Sequence, residues 1–196
     1  MSTFNYAEAR AIARVVAITS WNVDHGRQVE RLATRLFDAT HHRHGLDRTW
    51  RRLLAAAALL HDVGYPIAPD QHHKVSARMI RANLGDPFER VDIESIALLA
   101  RYHRKALPSI EHRRFRAMDL GEQRHFTWVS GILRVADGLD RAHVGSVTHL
   151  DVANLDNYLV ITVAAGVTDV DLAGATLKRG LLERAASMVV LIRAAQ

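Results

Sequence analysis

A histidine and an aspartate at the end of an apolar run are where this chain first offers chemistry. The run from Leu53 to Leu60 reads Leu-Leu-Ala-Ala-Ala-Ala-Leu-Leu; His61-Asp62 follow it, with Gly64 two residues later. Neither side chain serves the core that the run builds, but an imidazole and a carboxylate are ligands for a divalent cation. Three further candidates, His25, His103 and Asp137, are far apart in the sequence, each in a helix-like pattern. That spread calls for a fold that gathers ligands from several helices. Adjacent helical side chains point about 100° apart, so His61 and Asp62 cannot share a face. At a helix end they can converge on one ion, or the carboxylate can bridge two. His25 stands one turn before Val29, where an apolar stripe begins. Asp137 interrupts the apolar stretch around Ile132, Leu133, Val135 and Ala136. A carboxylate there needs a partner, because burial without one is expensive. The partner is a cation, or a salt bridge to Arg134 or Arg141. Taken singly, a helical histidine is more often a surface or hydrogen-bonded core residue than a ligand. The order and context of the set turn the reading toward one shared site.

Composition sets the limits on that site. The chain of 196 residues is long enough for one domain with a small appendage, and its 48% apolar content is ordinary for a globular protein. It contains 0 cysteines, which excludes disulfides, thiolate zinc and a cysteine nucleophile, so any metal must be held by His and carboxylate. Met1 to Tyr6 leads into a charged helix without the apolar segment of a signal peptide, and the apolar runs are too short to span a bilayer. A cytoplasmic protein with no membrane association is expected.

The net charge is +5, carried by 26 Lys+Arg that are mostly Arg. Solubility accounts for this, and so does an anionic ligand such as phosphate. Lys74, Arg78 and Arg81 recur at i, i+4 and i+7, a spacing that also fits a solvated helix face. Arg134 and Arg141 flank Asp137 at i−3 and i+4, which puts all three on one face. Arg104 and Lys105 follow His103 directly. Arg134, Arg141, Lys74, Arg104 and Lys105 are thus the candidate substrate-binding residues, Arg being suited to bidentate contact with phosphate oxygens. Arg51-Arg52 and Arg113-Arg114 read as ordinary surface. His41, His42 and His44 read as a helix end, where imidazolium suits the dipole.

Several elements must position these residues. Helical spacing predicts helices over Tyr6–Ala17, through Val29, Leu32, Ala33, Leu36 and Phe37, from an Asp47 cap to His61, and near His72–Leu84, Pro87–His103 and His125–Arg141. After Gly145 the pattern changes. Val147–Ala153 and Tyr158–Ala165 predict a hairpin around Asn154-Leu155-Asp156-Asn157; Leu172–Ala186 predicts a helix and Met188–Ile192 a last strand. The expectation is a mainly α fold: a helical domain over 1–145 and a small α+β, ββαβ-like subdomain over 146–196. A hairpin edge, or an apolar face of the Leu172–Ala186 helix, would support a homodimer.

The order His25, His61-Asp62, Asp137 resembles the H…HD…D pattern of HD-domain metal-dependent phosphohydrolases. The surrounding stretches Leu59–Gly64, His72–Ser76, Ala100–Lys105 and Ile132–Arg141 are similar to the C-terminal HD region of exopolyphosphatase/guanosine pentaphosphate phosphohydrolase proteins. The resemblance runs from about Asn22 to the end and includes the ββαβ-like tail. The actin-like ATPase-fold domains that carry polyphosphate hydrolysis in that family have no counterpart, so the chain looks like a free-standing HD module. Some two-domain relatives have lost the aspartate of the pair; Asp62 is present here. The family often has another histidine where this chain has Val75, which leaves His72 or His73 as the ligand from that helix.

The resemblance implies an HD helical bundle, with His25, His61, Asp62 and Asp137 around a first ion. Asp62 would bridge to a second ion held by His72 or His73 and by His103, and His61 and Asp62 would be the pair at the centre of catalysis. Such nitrogen and oxygen ligands suit Mn²⁺, Fe²⁺ or Zn²⁺ better than Mg²⁺. The implied activity is hydrolysis of a small phosphorylated molecule, a nucleotide or related phosphoester, by metal-activated water. The alternative is a regulatory module that binds a nucleotide, alarmone or polyphosphate without turnover. A nucleic-acid partner is disfavoured, since the basic residues are scattered and no recognition motif is apparent.

Overall fold

Local signals start most of the helices. The computed structural model describes residues 3–164 and 166–195. Met1, Ser2 and Gln196, at the ends of the expected domain ranges, and Ala165, at the end of the second expected strand, lie outside them. Helix α1 (Tyr6–Ala17) opens on a capping box in which Asn5 and Glu8 each accept the other's backbone N–H. Helices α2 (Val23–Ala39) and α3 (His41–His44) follow. The carboxylate of Asp47 accepts from the Thr49 and Trp50 amides and so starts α4 (Arg48–Leu60). After a 3₁₀ turn at Pro69–Gln71 come α5 (His72–Asn83), α6 (Arg90–Tyr102), the short α7 (Arg113–Arg116) and the long α8 (Leu120–Gly138). Helix α8 begins at Leu120 rather than near His125, because Asp119 and Glu122 form a second capping box.

Helices α2, α4, α6 and α8 pack on one another, with α1 and α5 at their flanks. Leu32, Leu36, Leu54, Leu60, Ile96, Leu99, Ile132 and Leu133 are fully buried between them. The alanines at 55–58 are fully buried too, and their small side chains let α4 lie close to its neighbours. Arg52 departs from the surface role expected of it. Its guanidinium bridges Glu8 Oε1 (2.8 Å) and Asp92 Oδ2 (2.5 Å), tying α4 to α1 and α6. Arg81 is likewise committed, to both oxygens of Glu94.

The C-terminal part is a three-stranded sheet in the order β1 (Leu150–Leu155), β2 (Tyr158–Val163), β3 (Val189–Ala194). Strands β1 and β2 form the expected hairpin, with Leu155 opposite Tyr158. Strand β3 runs parallel to β2, with Leu159 opposite Val190, so the chain must cross over between them. The crossover is two helices rather than one, α9 (Asp169–Lys178) and α10 (Gly180–Ala186), hinged at Arg179. Gly131 and Gly138 of α8 let them approach. A Cβ on Gly131 would stand 2.8 Å from Leu182 Cα, and one on Gly138 2.6 Å from Ala175 Cα. The inner sheet residues Leu159, Ile161, Val163 and Val190 join the same apolar cluster as the bundle. The protein is mainly α with a small C-terminal sheet. Among the described residues, no helix is long and apolar enough to cross a membrane.

Candidate metal centre

Side chains from five helices and one turn meet at one end of the bundle. His25 lies in the first turn of α2, where Asn22 caps the helix by accepting from the His25 amide. His61 and His103 follow the last residues of α4 and α6, His72 opens α5, and Asp137 lies in the last turn of α8. Asp62 follows His61 in the turn that Gly64 presses against α5. The Gly64 amide donates to Ser76 Oγ (2.9 Å), and a Cβ on Gly64 would stand 2.5 Å from Ser76 N. That contact seats His72 beside Asp62.

Each of the four imidazoles has one nitrogen fixed from outside. The Nδ1–H of His61 donates to Ala58 O (2.7 Å) and that of His103 to Ala100 O (2.7 Å). Both acceptors are carbonyls left free at helix C-termini. His72 Nδ1 donates to Pro69 O (2.6 Å), and His25 Nδ1 to Asp140 Oδ2 (2.7 Å). All four Nε2 atoms therefore turn inward with their lone pairs. The His25 and His61 Nε2 atoms are 3.2 Å apart, as are those of His72 and His103. Two lone pairs at that distance repel unless a proton or a cation lies between them.

The carboxylates complete the set. Asp62 Oδ1 lies 3.1 Å from His72 Nε2, 3.4 Å from His103 Nε2 and 3.7 Å from His61 Nε2. It nevertheless receives no well-directed hydrogen bond among the described residues. Asp137 Oδ1 lies 3.5 Å from His25 Nε2 and 3.6 Å from His61 Nε2. Donors bound at about 2.0–2.2 Å around one ion stand about 3.0–3.5 Å apart, so these spacings fit a coordination sphere. Three groups could each hold an ion: His25, His61 and Asp62; His61, His103 and Asp137; Asp62, His72 and His103. The negative ends of α4 and α6 also point at the centre, which favours a cation.

Burial resists ionisation of Asp62, but His61, His72 and His103 hold it well below the usual carboxylate range. Burial likewise opposes Asp137, and Lys178, His25 and His61 keep it ionised. Burial pushes the His103 imidazole far below its ordinary value. His25 goes the other way: burial would lower it, yet its bonds to Asp137 and Asp140 raise it to about 9.

Two residues here escaped the sequence reading. Lys178, the last residue of α9, places its ammonium on Asp137 Oδ2. That contact replaces the salt bridge to Arg134 or Arg141 that the spacing offered. Asp140 fixes His25 from behind and also accepts from the Gly145 amide. Its position one turn after Asp137 was the available signal; a helix-end lysine gave none.

The remaining candidates are spread out. His73 is buried but belongs to none of the three groups, and its Nδ1 has no partner among the described residues. Burial and the nearby Arg101 lower its pKa to about 4. Arg134 is buried and donates to Tyr102 O (2.7 Å) rather than to Asp137. Arg141 lies beyond the end of α8, so the i+4 argument fails for it; it is exposed and its stem lies against Gly174. Lys74 is exposed on α5. Arg104 Nη1 lies 3.1 Å from His72 Nδ1, and Lys105 Nζ donates to Asp70 O (2.8 Å).

The centre opens beside Asp62, whose side chain at 14% is more exposed than those of its partners. Around it, Trp21 stacks on Tyr65 with ring centroids 4.5 Å apart, and His143 stacks on His25 at 3.8 Å. Ser20, Asn22, Lys105 and His143, all in loops bordering the centre, hold positive φ (50, 30, 56 and 58°). Non-glycine residues are kept in that region where surrounding structure imposes it, which is common at binding sites.

A family profile described as Ppx/GppA phosphatase, domain III, matches residues 8–177. No curated protein matches the chain significantly.

Proposed function

The chain belongs to the Ppx/GppA phosphatase domain III family, and from that premise we propose that it is an HD-type, metal-dependent phosphohydrolase of small phosphorylated molecules. The observation that carries the reading is the convergence of four imidazole Nε2 atoms, each with its Nδ1 proton engaged elsewhere, on Asp62 and Asp137. A purely structural polar cluster would pair its donors with its acceptors. Here each imidazole spends its Nδ1 proton on the framework, and around Asp62 the inward-facing groups are the Nε2 atoms of His61, His72 and His103 and a carboxylate oxygen that meets no directed donor among the described residues, which is the arrangement a cation needs.

His25, His61, Asp62 and Asp137 would hold the first ion; Asp62, His72 and His103 offer a place for a second. Imidazole-rich ligation suits Mn²⁺, Fe²⁺ or Zn²⁺ better than Mg²⁺. When bound, such an ion supplies a water of lowered pKa and polarises a phosphoryl oxygen. The residues around it do the rest. Asp140 and the three backbone carbonyls keep each Nδ1 proton in place, so the Nε2 lone pairs stay available. Lys178 offsets one of the two carboxylate charges. Arg104 lies over His72 at the open side, within reach of an anion entering beside Asp62. The Trp21–Tyr65 stack beside His72 walls off water on that side and offers apolar surface to a nucleoside or other leaving group.

A second reading rests on the Lys178 contact. An ammonium already seated on Asp137 lets the centre hold its charge without a metal, as a module that binds phosphate without turnover would require.

One comparison tests both. Metal content of the purified chain, free of any affinity tag, is measured beside Asp62→Ala, followed by phosphate release from a panel of nucleotides and phosphoesters. One or more ions per chain, reduced in the variant along with phosphate release, is the expected result. A chain that stays metal-free after loading with Mn²⁺ or Fe²⁺ would sink the hydrolase and leave the binding module.

A further inference from the structure

The three-stranded sheet turns one face to the bundle and the other away from it. Leu150, Leu159, Ile161, Val163 and Val190 point inward and join the bundle's apolar cluster. Side chains alternate across a strand, so the residues between these point outward. The register lines them up in rows across the sheet. Leu155, Tyr158 and Val189 form one row; Ala153, Val160 and Leu191 form the next; Asp151, Thr162 and Arg193 follow. Leu155, Tyr158, Val189 and Leu191 are 40–56% exposed, and Val160, buried among the outward residues, is not part of the bundle's cluster. Adjoining apolar rows on an outward face form a patch of the kind that marks an interaction surface.

The edges of the sheet are less open than this face. On the β3 side the Val190 amide donates to Glu183 Oε1 (3.0 Å). On the β1 side Arg35 Nε donates to Leu150 O (2.6 Å) and Arg31 Nη1 to Thr148 O (2.8 Å). Edge groups already met in this way resist pairing with another chain, so a partner is expected on the face. The polar row says which partner. Asp151 and Arg193 are exposed, carry opposite charges and lie at opposite edges with Thr162 between them. Arg193 Nε donates to Thr162 Oγ1 (3.3 Å), and Asp151 Oδ1 lies 3.3 Å from Arg35 Nη2 with its carboxylate still open to solvent. A two-fold axis along β2, between two such faces, keeps each row level and exchanges β1 with β3. Asp151 of each copy then meets Arg193 of the other. The same operation sets Leu155 on Val189 and small Ala153 on larger Leu191, and brings Tyr158 and Val160 onto their own copies. An axis across the strands would lay the charged row on Leu155, Tyr158 and Val189 instead.

We propose that the outer sheet face binds a second copy of this chain, face to face about a two-fold axis along β2. Sheets packed in this way keep their strands within about 30° of one another. Strands about 4.8 Å apart, rising about 3.3 Å per residue, give the face a footprint of roughly 300 Å². An interface of standard size takes about 800 Å² from each partner, so this dimer is of the weak, reversible class. The inner face is the one joined to the bundle, so association leaves the metal centre outside the interface. The dimer does not rest on the hydrolase reading.

The test is analytical ultracentrifugation of the purified chain, free of any affinity tag, from micromolar to millimolar concentration. A monomer–dimer equilibrium with a micromolar midpoint is expected. Leu191→Lys, at an exposed position, is expected to weaken association tenfold or more while the chain keeps its far-UV circular dichroism. Leu177→Lys, at an exposed position of α9, is expected to change association less than twofold. Asp151→Lys and Arg193→Asp test the axis. Each alone sets like charges against each other in its own dimer and is expected to weaken association tenfold or more. An equimolar mixture of these two variants restores opposite charges at both ends and is expected to associate at least tenfold more tightly than either alone. A chain that stays monomeric at millimolar concentration would overturn the proposal. So would a dimer that survives Leu191→Lys, an equal loss in Leu177→Lys, or a mixture no tighter than its components.

Discussion

Each imidazole of the centre divides its nitrogens between a fixed acceptor outside and the space within, and this division makes the residues separately testable. His72 and His73 are neighbours, but only His72 has its Nε2 in a ligand group. His72→Ala is expected to lower metal content, whereas His73→Ala leaves it unchanged and alters stability alone; equal metal loss in both would contradict the assignment. Asp140→Asn, which perturbs the outer partner of His25, is expected to weaken metal binding about 10–100-fold, read by competition with a chelator. His25 also sets a pH dependence. In the cation-free protein its pKa is raised to about 9, against about 6.5 in the unfolded chain. Its stabilising effect is complete below about pH 6.5 and is lost as pH rises through 9. A cation must displace that proton, so affinity rises over the same window. Calorimetry at pH 7.5 in two buffers of different ionisation heat should show proton release on metal binding, and no release would count against His25 as a ligand. The centre was legible in the sequence wherever polarity broke an apolar pattern, as at His61-Asp62 and Asp137. Lys178 was not, because a lysine at a helix end looks like surface until the fold brings it to a carboxylate 41 residues away.

At the scale of elements, the helices with clear caps were the readable ones. Helix α1 and the Asp47 start of α4 lie where the sequence puts them, because the caps are local and need no tertiary help. The capping box at Asp119 and Glu122 was equally local and passed unread, so α8 was expected to begin near His125. The break between α9 and α10 was hidden for a different reason. Leu172 to Ala186 is helical in composition throughout, and the hinge at Arg179 follows from packing two helices across α8. That packing depends on Gly138, where a Cβ would meet Ala175 N and Cα at 2.6 Å. Gly138→Ala is expected to destabilise the protein by about 1–3 kcal/mol, the range for overpacking. It should also lift Lys178 away from Asp137. Thermal unfolding tests the first effect; a variant as stable as the parent would mean that α9 is free to shift.

For the whole molecule, the class was readable from helical periodicity followed by β-branched segments after Gly145, and the structure is mainly α with a small sheet. Its parallel strand pair was not, since strand direction is decided by the connection rather than by the residues of β3. If the centre binds a cation only when folded, ligand and stability are linked. Mn²⁺ at about a hundred times its dissociation constant should add about 2.7 kcal/mol. For a chain of this size that corresponds to a melting temperature about 5–10 °C higher, reversed by a chelator; no shift would argue against a preformed site. The crossover has a consequence of another kind. Lys178 belongs to the connection between two parallel strands, so the C-terminal segment sets the electrical potential at a centre whose other side chains all come from the bundle. A chain cut after Val163 would keep every residue named as a ligand and still present a centre one positive charge poorer. The C-terminal sheet is in this sense a dial on the bundle, because the connection that its parallel strands require carries the charge that Asp137 meets.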